Sequence, residues 1–211
     1  LHTGWFVLPL PFVLFISLLR RIPDVSGGNA IMHELKWMPS YGIDFAARLD
    51  GLSLLFGLLI TGIGTLVILY SIYYMSKYRE TLHNFYIYLL LFMGAMLGVV
   101  FSDNVIVLYV FWEMTSISSF LLIAYWYQRK QSRYGAQKSM MITVAGGLAL
   151  LAGLLLLSNI TDTYSIREMF SKADIVLDSA LFIPAMLLLL VGAFTKSAQF
   201  PFSLWLPDAM E

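Results

Sequence analysis

Residues 108–126 read LYVFWEMTSISSFLLIAYW, an apolar run with one acid, Glu113, near its middle. About 20 mostly apolar residues span a bilayer as a helix. Lipid gives the backbone no hydrogen-bond partners, so a segment buried in it has to be helical. A charge in such a run costs about 2.5–3.5 kcal/mol on insertion scales, which makes Glu113 a candidate for function. A second run, MLLLLVGAFTKSAQFPF from Met186, carries a base, Lys196.

Composition agrees. The chain of 211 residues is 59% hydrophobic and 12% charged, with a mean hydropathy of +0.78. Soluble domains carry about 25% charged residues, so this is an integral membrane protein. Thirteen bases balance thirteen acids, which argues against nucleic acid as a partner. Without cysteine there is no disulfide and no thiolate metal site. His2, His33 and His83 are scattered, and solvated histidines are expected there. The chain starts at Leu1 and stops at LPDAME. That suggests part of a longer polypeptide, or one piece of a split one.

Six windows can form spanning helices, at about 4–19, 52–75, 85–101, 104–127, 140–157 and 179–199. The expected fold is therefore all-α, a polytopic transmembrane bundle treated as one region over residues 1–211. Ser102-Asp103-Asn104 reads as a tight turn with a helix cap, joining an antiparallel hairpin. Asp50 reads as a cap for the second window. Residues 22–48, with two prolines and Gly27-Gly28, read as an extramembrane loop with some strand. Residues 163–178 have the spacing of an interfacial amphipathic helix.

The connections at 76–84 and 128–139 share one side and crowd six bases with one acid. The opposite side spreads six bases among eight acids over longer loops. Short basic loops face the cytoplasm, so the first pair is placed there, in a multi-pass protein of the cell membrane. Gly94/Gly98, Ala149/Gly153 and Gly146-Gly147 read as helix-packing positions. Trp5, Trp37, Trp126 and Trp205 fit interfacial belts.

Glu113 shares a helix face with Tyr109, Ser116, Ile117 and Phe120, and Thr115, Ser118 and Ser119 add hydroxyls around it. Such a carboxylate can hold water. Pro201 and Pro207 follow Lys196, so the last window is expected to break just after the lysine, near Pro201. Broken helices at membrane depth line cavities or are covered by protein. Glu113 and Lys196 then form a candidate proton-relay pair. The alternatives are a structural ion pair, or a Lys196 that reaches to the interface. Lys138 reads as interfacial, with a place beside a water path as the alternative. No phosphate-cradling loop, metal-ligand cluster or nucleophile triad is recognisable, and no cofactor is expected.

The pieces LDGLSLLF from Leu49, SDNVIVLYVFWE from Ser102 and TKSAQFPFSLWLPDAME from Thr195 resemble the antiporter-like subunits of respiratory complex I, membrane-bound hydrogenases and Mrp-type antiporters. WEMTSISSFLLI together with KSAQFPF is most similar to the large A subunits of Mrp sodium/proton antiporters. The resemblance covers nearly all of the chain, matched to the early helices of such a protein. It implies that Glu113 and Lys196 form an intramembrane pair within a proton path, with the lysine on a discontinuous helix. It implies sodium/proton antiport without ATP or a redox cofactor, and other membrane subunits as partners. The alternative is the proton-pumping arm of a quinone or hydrogenase complex. Many Mrp relatives carry histidine where this chain has Ser203, so a titratable group there is in doubt.

Overall fold

The computed structural model describes residues 2–38, 42–75 and 81–210. Its helices are α1 (Gly4–Val7), α2 (Pro9–Leu19), α3 (Ile22–Val25), α4 (Gly51–Tyr74), α5 (Leu82–Phe101), α6 (Val105–Ile123), α7 (Lys130–Thr161), α8 (Ile166–Ser171), α9 (Ala173–Asp178), α10 (Phe182–Lys196) and α11 (Leu206–Ala209). Strands β1 (Ile31–Met38) and β2 (Ile43–Leu49) lie between α3 and α4. Short 3-10 turns, Ala124–Trp126 and Phe202–Trp205, follow α6 and precede α11.

Four helices are long and apolar enough to cross a membrane: Gly51–Tyr74, Leu82–Phe101, Val105–Trp126 and Lys130–Thr161. The first and last sequence windows form shorter apolar helices, Gly4–Leu19 and Phe182–Lys196. Asp50 begins α4 with a reciprocal cap. Its Oδ1 accepts from Ser53 N at 2.9 Å, and its own N–H donates to Ser53 Oγ at 2.7 Å. That satisfies amides the helix cannot pair internally.

Between Pro23 and Asp50 the chain forms an antiparallel hairpin. Ile31 pairs with Leu49 and Leu35 with Phe45, and the register shifts between Leu35 and Met38. Asp103 N donates to Ala46 O, and Ala47 bridges to Ser102, so the hairpin docks on the α5–α6 turn. At that turn Asn104 caps α6, accepting from Ile106 N and Val107 N. Asp103 serves another segment: Oδ2 accepts from Ser165 Oγ at 2.9 Å and Oδ1 from Arg167 N at 3.2 Å. Segment 163–178 folds as α8 and α9, and Lys172 Nζ donates to Thr161 O at the C-terminus of α7. A cation belongs there because the unpaired carbonyls of a helix end are negative.

The connection expected at 128–139 is mostly not a loop. Residues 127–129 link the helices, and α7 starts at Lys130. The 130–139 stretch is polar, but it holds no proline and many good helix formers. Tertiary contact fixes it: Ser132 Oγ donates to Ile123 O at 2.7 Å, and Ala136 is fully buried. With 32 residues, α7 is about 48 Å long, well beyond the roughly 30 Å of a hydrocarbon core. In the other connection on that side, residues 76–80 lie outside the described residues, as do 39–41 in the hairpin turn.

Candidate functional site

Helix α7 packs against both of the helices that carry the two charges found in the sequence. On one flank Glu113 of α6 lies against Gly147, where an added Cβ would overlap the carboxylate Oε1. On the other flank Thr195, the neighbour of Lys196, lies against Gly146 in the same manner. The Gly146-Gly147 pair therefore lets α6 and α10 both close on one turn of α7. The same face continues along α10. Gly153 meets Ala185 O and Leu189, and Gly192 meets Leu150 and Gly146 O. Gly98 is filled against by Phe111, whereas a Cβ at Gly94 would meet nothing within 4 Å.

Lys196 is the last residue of α10. Ser197 closes the helix, and Ala198 takes a left-handed conformation at φ 51°. The peptide bond before Pro201 is cis, and the chain continues through the second 3-10 turn into α11. The break thus falls between Lys196 and Pro201. The freed carbonyls are used: Gln199 N donates to Phe194 O at 2.9 Å, and Trp205 Nε1 donates to Thr195 O at 3.0 Å. Trp205, expected in an interfacial belt, ties the 3-10 turn back to the end of α10.

The two charges are brought into one site but not into ion-pair contact. Among the described residues the ion pairs are Arg21–Asp24, Arg48–Asp50 and Lys138–Asp208. Lys196 Nζ donates to Ser116 Oγ at 2.7 Å and sits 5.4 Å from the centre of the Trp112 ring. Ser116 is one helical turn beyond Glu113, so it stands between acid and base along α6. Glu113 Oε1 and Trp112 Nε1 are buried with no hydrogen-bond partner. A buried polar atom left unpaired is costly, and native structures hold few of them.

Several of the surrounding hydroxyls are spent on their own helices: Thr115 Oγ1 donates to Trp112 O, Ser118 Oγ to Met114 O and Thr143 Oγ1 to Ser139 O. Thr115, Ser116, Ser119 and Thr143 line a cavity of about 360 Å³ with Lys196, Trp112 and Trp205. Phe92, Met96, Val99 and Val100 of α5 form its apolar wall. That volume has room for several waters, each needing about 30 Å³. Ser203 lies in the 3-10 turn Phe202–Trp205, outside the cavity wall. Among the described residues no cluster of three or more His, Cys, Asp or Glu could hold a metal ion.

Sequence reasoning reached Glu113, Lys196 and Ser116. It missed Thr143, Trp112 and Trp205 as site residues. Trp112 was legible as an aromatic beside Glu113 without a destination, and Trp205 was read as an interfacial residue. Thr143 carried no signal, being one of many hydroxyls in apolar helices.

The apolar helical bundle is that of a polytopic membrane protein, with an acid and a base close together beside the break in its last long helix. Residues 102–211 match the family model described as NADH:quinone oxidoreductase/Mrp antiporter, TM, and the chain belongs to that family. Residues 37–86 match the model described as NADH-Ubiquinone oxidoreductase (complex I), chain 5 N-terminus. Over its whole length the chain is 64% identical to the A subunit of the Na(+)/H(+) antiporter of Alkalihalophilus pseudofirmus, and 61% identical to the A1 subunit of the Na(+)/H(+) antiporter of Staphylococcus aureus. It spans about a quarter of the length of these relatives, 26% in each case. The solved Mrp complex of a Dietzia species contains a chain with the same fold, at a TM-score of 0.81 and 30% identity over 99% of this chain and 25% of that one. A chain of the archaeal membrane-bound sulfane sulfur reductase shares the fold at a TM-score of 0.79 and 20% identity, over 96% of this chain and 31% of that one.

Proposed function

We propose that this chain works within a secondary antiporter that exchanges monovalent cations, sodium foremost, for protons, and that it carries part of the proton route. Lys196 is the proton-bearing base and Glu113 the acid that balances it. Ser116, bonded to the ammonium and one helical turn from Glu113, is the link between them, and the 360 Å³ cavity lies on the Lys196 side. The observation that carries this reading is the unequal coordination of the pair. Lys196 is held by a single neutral hydroxyl, and Glu113 Oε1 has no hydrogen-bond partner. A structural ion pair would be saturated with partners. Groups left open in this way can change protonation without dismantling a network.

In this reading the chain is a transporter component rather than an enzyme. It assembles with other membrane subunits in the cell membrane. Connections 76–84 and 127–129, with the first turns of α7, face the cytoplasm, while residues 22–48 and 163–178 lie outside the bilayer on the opposite side. The whole-chain identity to the large subunits of sodium/proton antiporters supports sodium/proton exchange over the redox-driven alternative, which rests on the fold likeness to a respiratory complex and on the breadth of the family.

The test uses assembled complexes in inverted vesicles. Sodium-dependent proton flux should fall by about a hundredfold or more in Glu113→Gln and Lys196→Ala, the loss typical of a missing proton-transfer group. Normal flux in either intact variant sinks the reading. Flux that follows a quinone or hydrogen donor, and not sodium, favours the redox arm.

A further inference from the structure

Helix α7 carries both halves of the broken helix. Its segment Gly146–Gly153 seats α10, and its segment Gly135–Lys138 seats α11 about 16 Å away, at about 1.5 Å per residue. The two seats are built differently. The first consists of close contacts involving Gly146, Gly153 and Gly192 with Thr195, Ala185, Leu189 and Leu150. The second has one close backbone contact, where a Cβ on Gly135 would overlap Asp208 O, and one ion pair, Lys138 Nζ to Asp208 Oδ2 at 2.5 Å. The side chains of that pair are 30% and 37% exposed. Between the seats lie Lys196, the left-handed Ala198 and Trp205, whose indole ties the 3-10 turn back to Thr195. Trp205 and Lys196 share the cavity wall.

We propose that Lys138 and Asp208 form a releasable clasp that decides how closely the segment after the break covers Lys196. The first seat is buried and fixed. The second has one tight backbone contact, at Gly135, and beside it a partly exposed ion pair, a kind of contact that contributes little and opens easily. When the clasp opens, α11 and the 3-10 turn keep only the Gly135 contact and the Trp205–Thr195 bond, and they shift more readily about Ala198. Trp205 moves with them and changes access to the cavity. Lys138 and Asp208 are positioning residues, acting through Trp205 and the break. Their place in the cycle rests on the antiport reading, whereas the clasp itself is a claim about motion and stands apart from it.

Two measurements separate these claims. The first uses Ser203→Cys in the assembled complex, with other reactive thiols removed, since this chain has none of its own. Labelling by a small maleimide should quicken about two- to fivefold in Lys138→Met and Asp208→Asn, the range a partly exposed ion pair can hold. It should return toward the parent rate in Lys138→Arg and in the charge swap K138D/D208K. An unchanged rate in the neutral variants, or a swap no better than they are, overturns the clasp. Should the neutral variants not assemble, Lys138→Arg and the swap decide: parent-like labelling in both upholds the clasp, and faster labelling in both overturns it. The second measurement is the pH profile of sodium-dependent proton flux. It should shift in the neutral variants and be restored in the swap. An unshifted profile beside quickened labelling overturns the part of the clasp in transport. Full flux in Glu113→Gln, run in parallel, would fault the antiport reading and leave the labelling result standing.

Discussion

Asp103 and Glu113 are acids ten positions apart on one stretch of chain, and their surroundings are opposite. Asp103 is 4% exposed, and both of its carboxylate oxygens accept hydrogen bonds, from Ser165 Oγ and Arg167 N. Its backbone joins the hairpin through Ala46 and α8 through Ile166. Glu113 is set against Gly147, and its Oε1 has no partner. A fully bonded buried acid fixes the geometry around it, and a partly bonded one keeps capacity to exchange a proton or a water. The difference sets a structural carboxylate beside the one we propose to work in proton transfer, on neighbouring stretches of one helical hairpin.

The sharpest way to break that contrast is to remove each acid in turn. Glu113→Gln should leave assembly intact and reduce flux per complex by about a hundredfold or more. Asp103→Ala should do the reverse. It strands Ser165 and the Arg167 amide at a cost of about 1–3 kcal/mol, read as a lower thermal midpoint, with flux per surviving complex unchanged. Loss of flux in intact Asp103→Ala complexes would end the division of labour. Next in size is Gly147→Val. Its side chain enters the volume of the Glu113 carboxylate, and overpacking of this kind costs about 1–3 kcal/mol. It should also lower flux, because the acid is displaced.

Asp50 offers a smaller, pH-dependent check. The Ser53 amide it accepts from holds its carboxyl below the usual carboxylate range, with Arg48 adding to the effect. A depressed folded-state value means the stabilisation is complete above the ordinary carboxylate value and is lost as pH falls through the folded one. Asp50→Ala should therefore cost about 0.5–2 kcal/mol at neutral pH. The gap between parent and variant in thermal unfolding should close as pH drops below the usual carboxylate range. A gap that is constant with pH would refute the cap. Of similar size is Ser165→Ala, which removes one of the two partners of the Asp103 carboxylate and the cap that accepts from Glu168 N in α8, at about 1–2 kcal/mol in the same melting assay.

The sequence made the apolar runs, the buried acid and base, and the helix break legible, because each is a local property. Proline cannot continue a helix, and charge in an apolar run stands out on its own. The hairpin turn Ser102–Asn104 was readable for the same reason, although Asp103 went to α8 and not to the helix beside it. The rest depends on partners far along the chain. Serine and threonine near Glu113 look alike in sequence, yet Thr115 and Ser118 bond their own helix while Ser116 takes the lysine. Lys138 finds Asp208 seventy residues away. The mostly polar residues 130–139 opening α7 look like a loop until Ile123 O and the backbone of Asp208 fix them as helix.

Helix α10 has 15 residues and is about 22 Å long, short of the roughly 30 Å of the hydrocarbon core. Its stub ends at Lys196 beside a cavity able to take up water. A transmembrane voltage falls mainly across material that cannot polarise, so a wet gap at the foot of the stub leaves the field to the dry remainder. Moving one charge through a full 100 mV corresponds to about 2.3 kcal/mol. The shorter the dry distance, the larger the share of that work a single short proton transfer can capture. On the proposed role of Lys196, the length of α10 is thus an electrical dimension of the protein: adding or removing a turn would retune how strongly voltage acts on a proton transfer there.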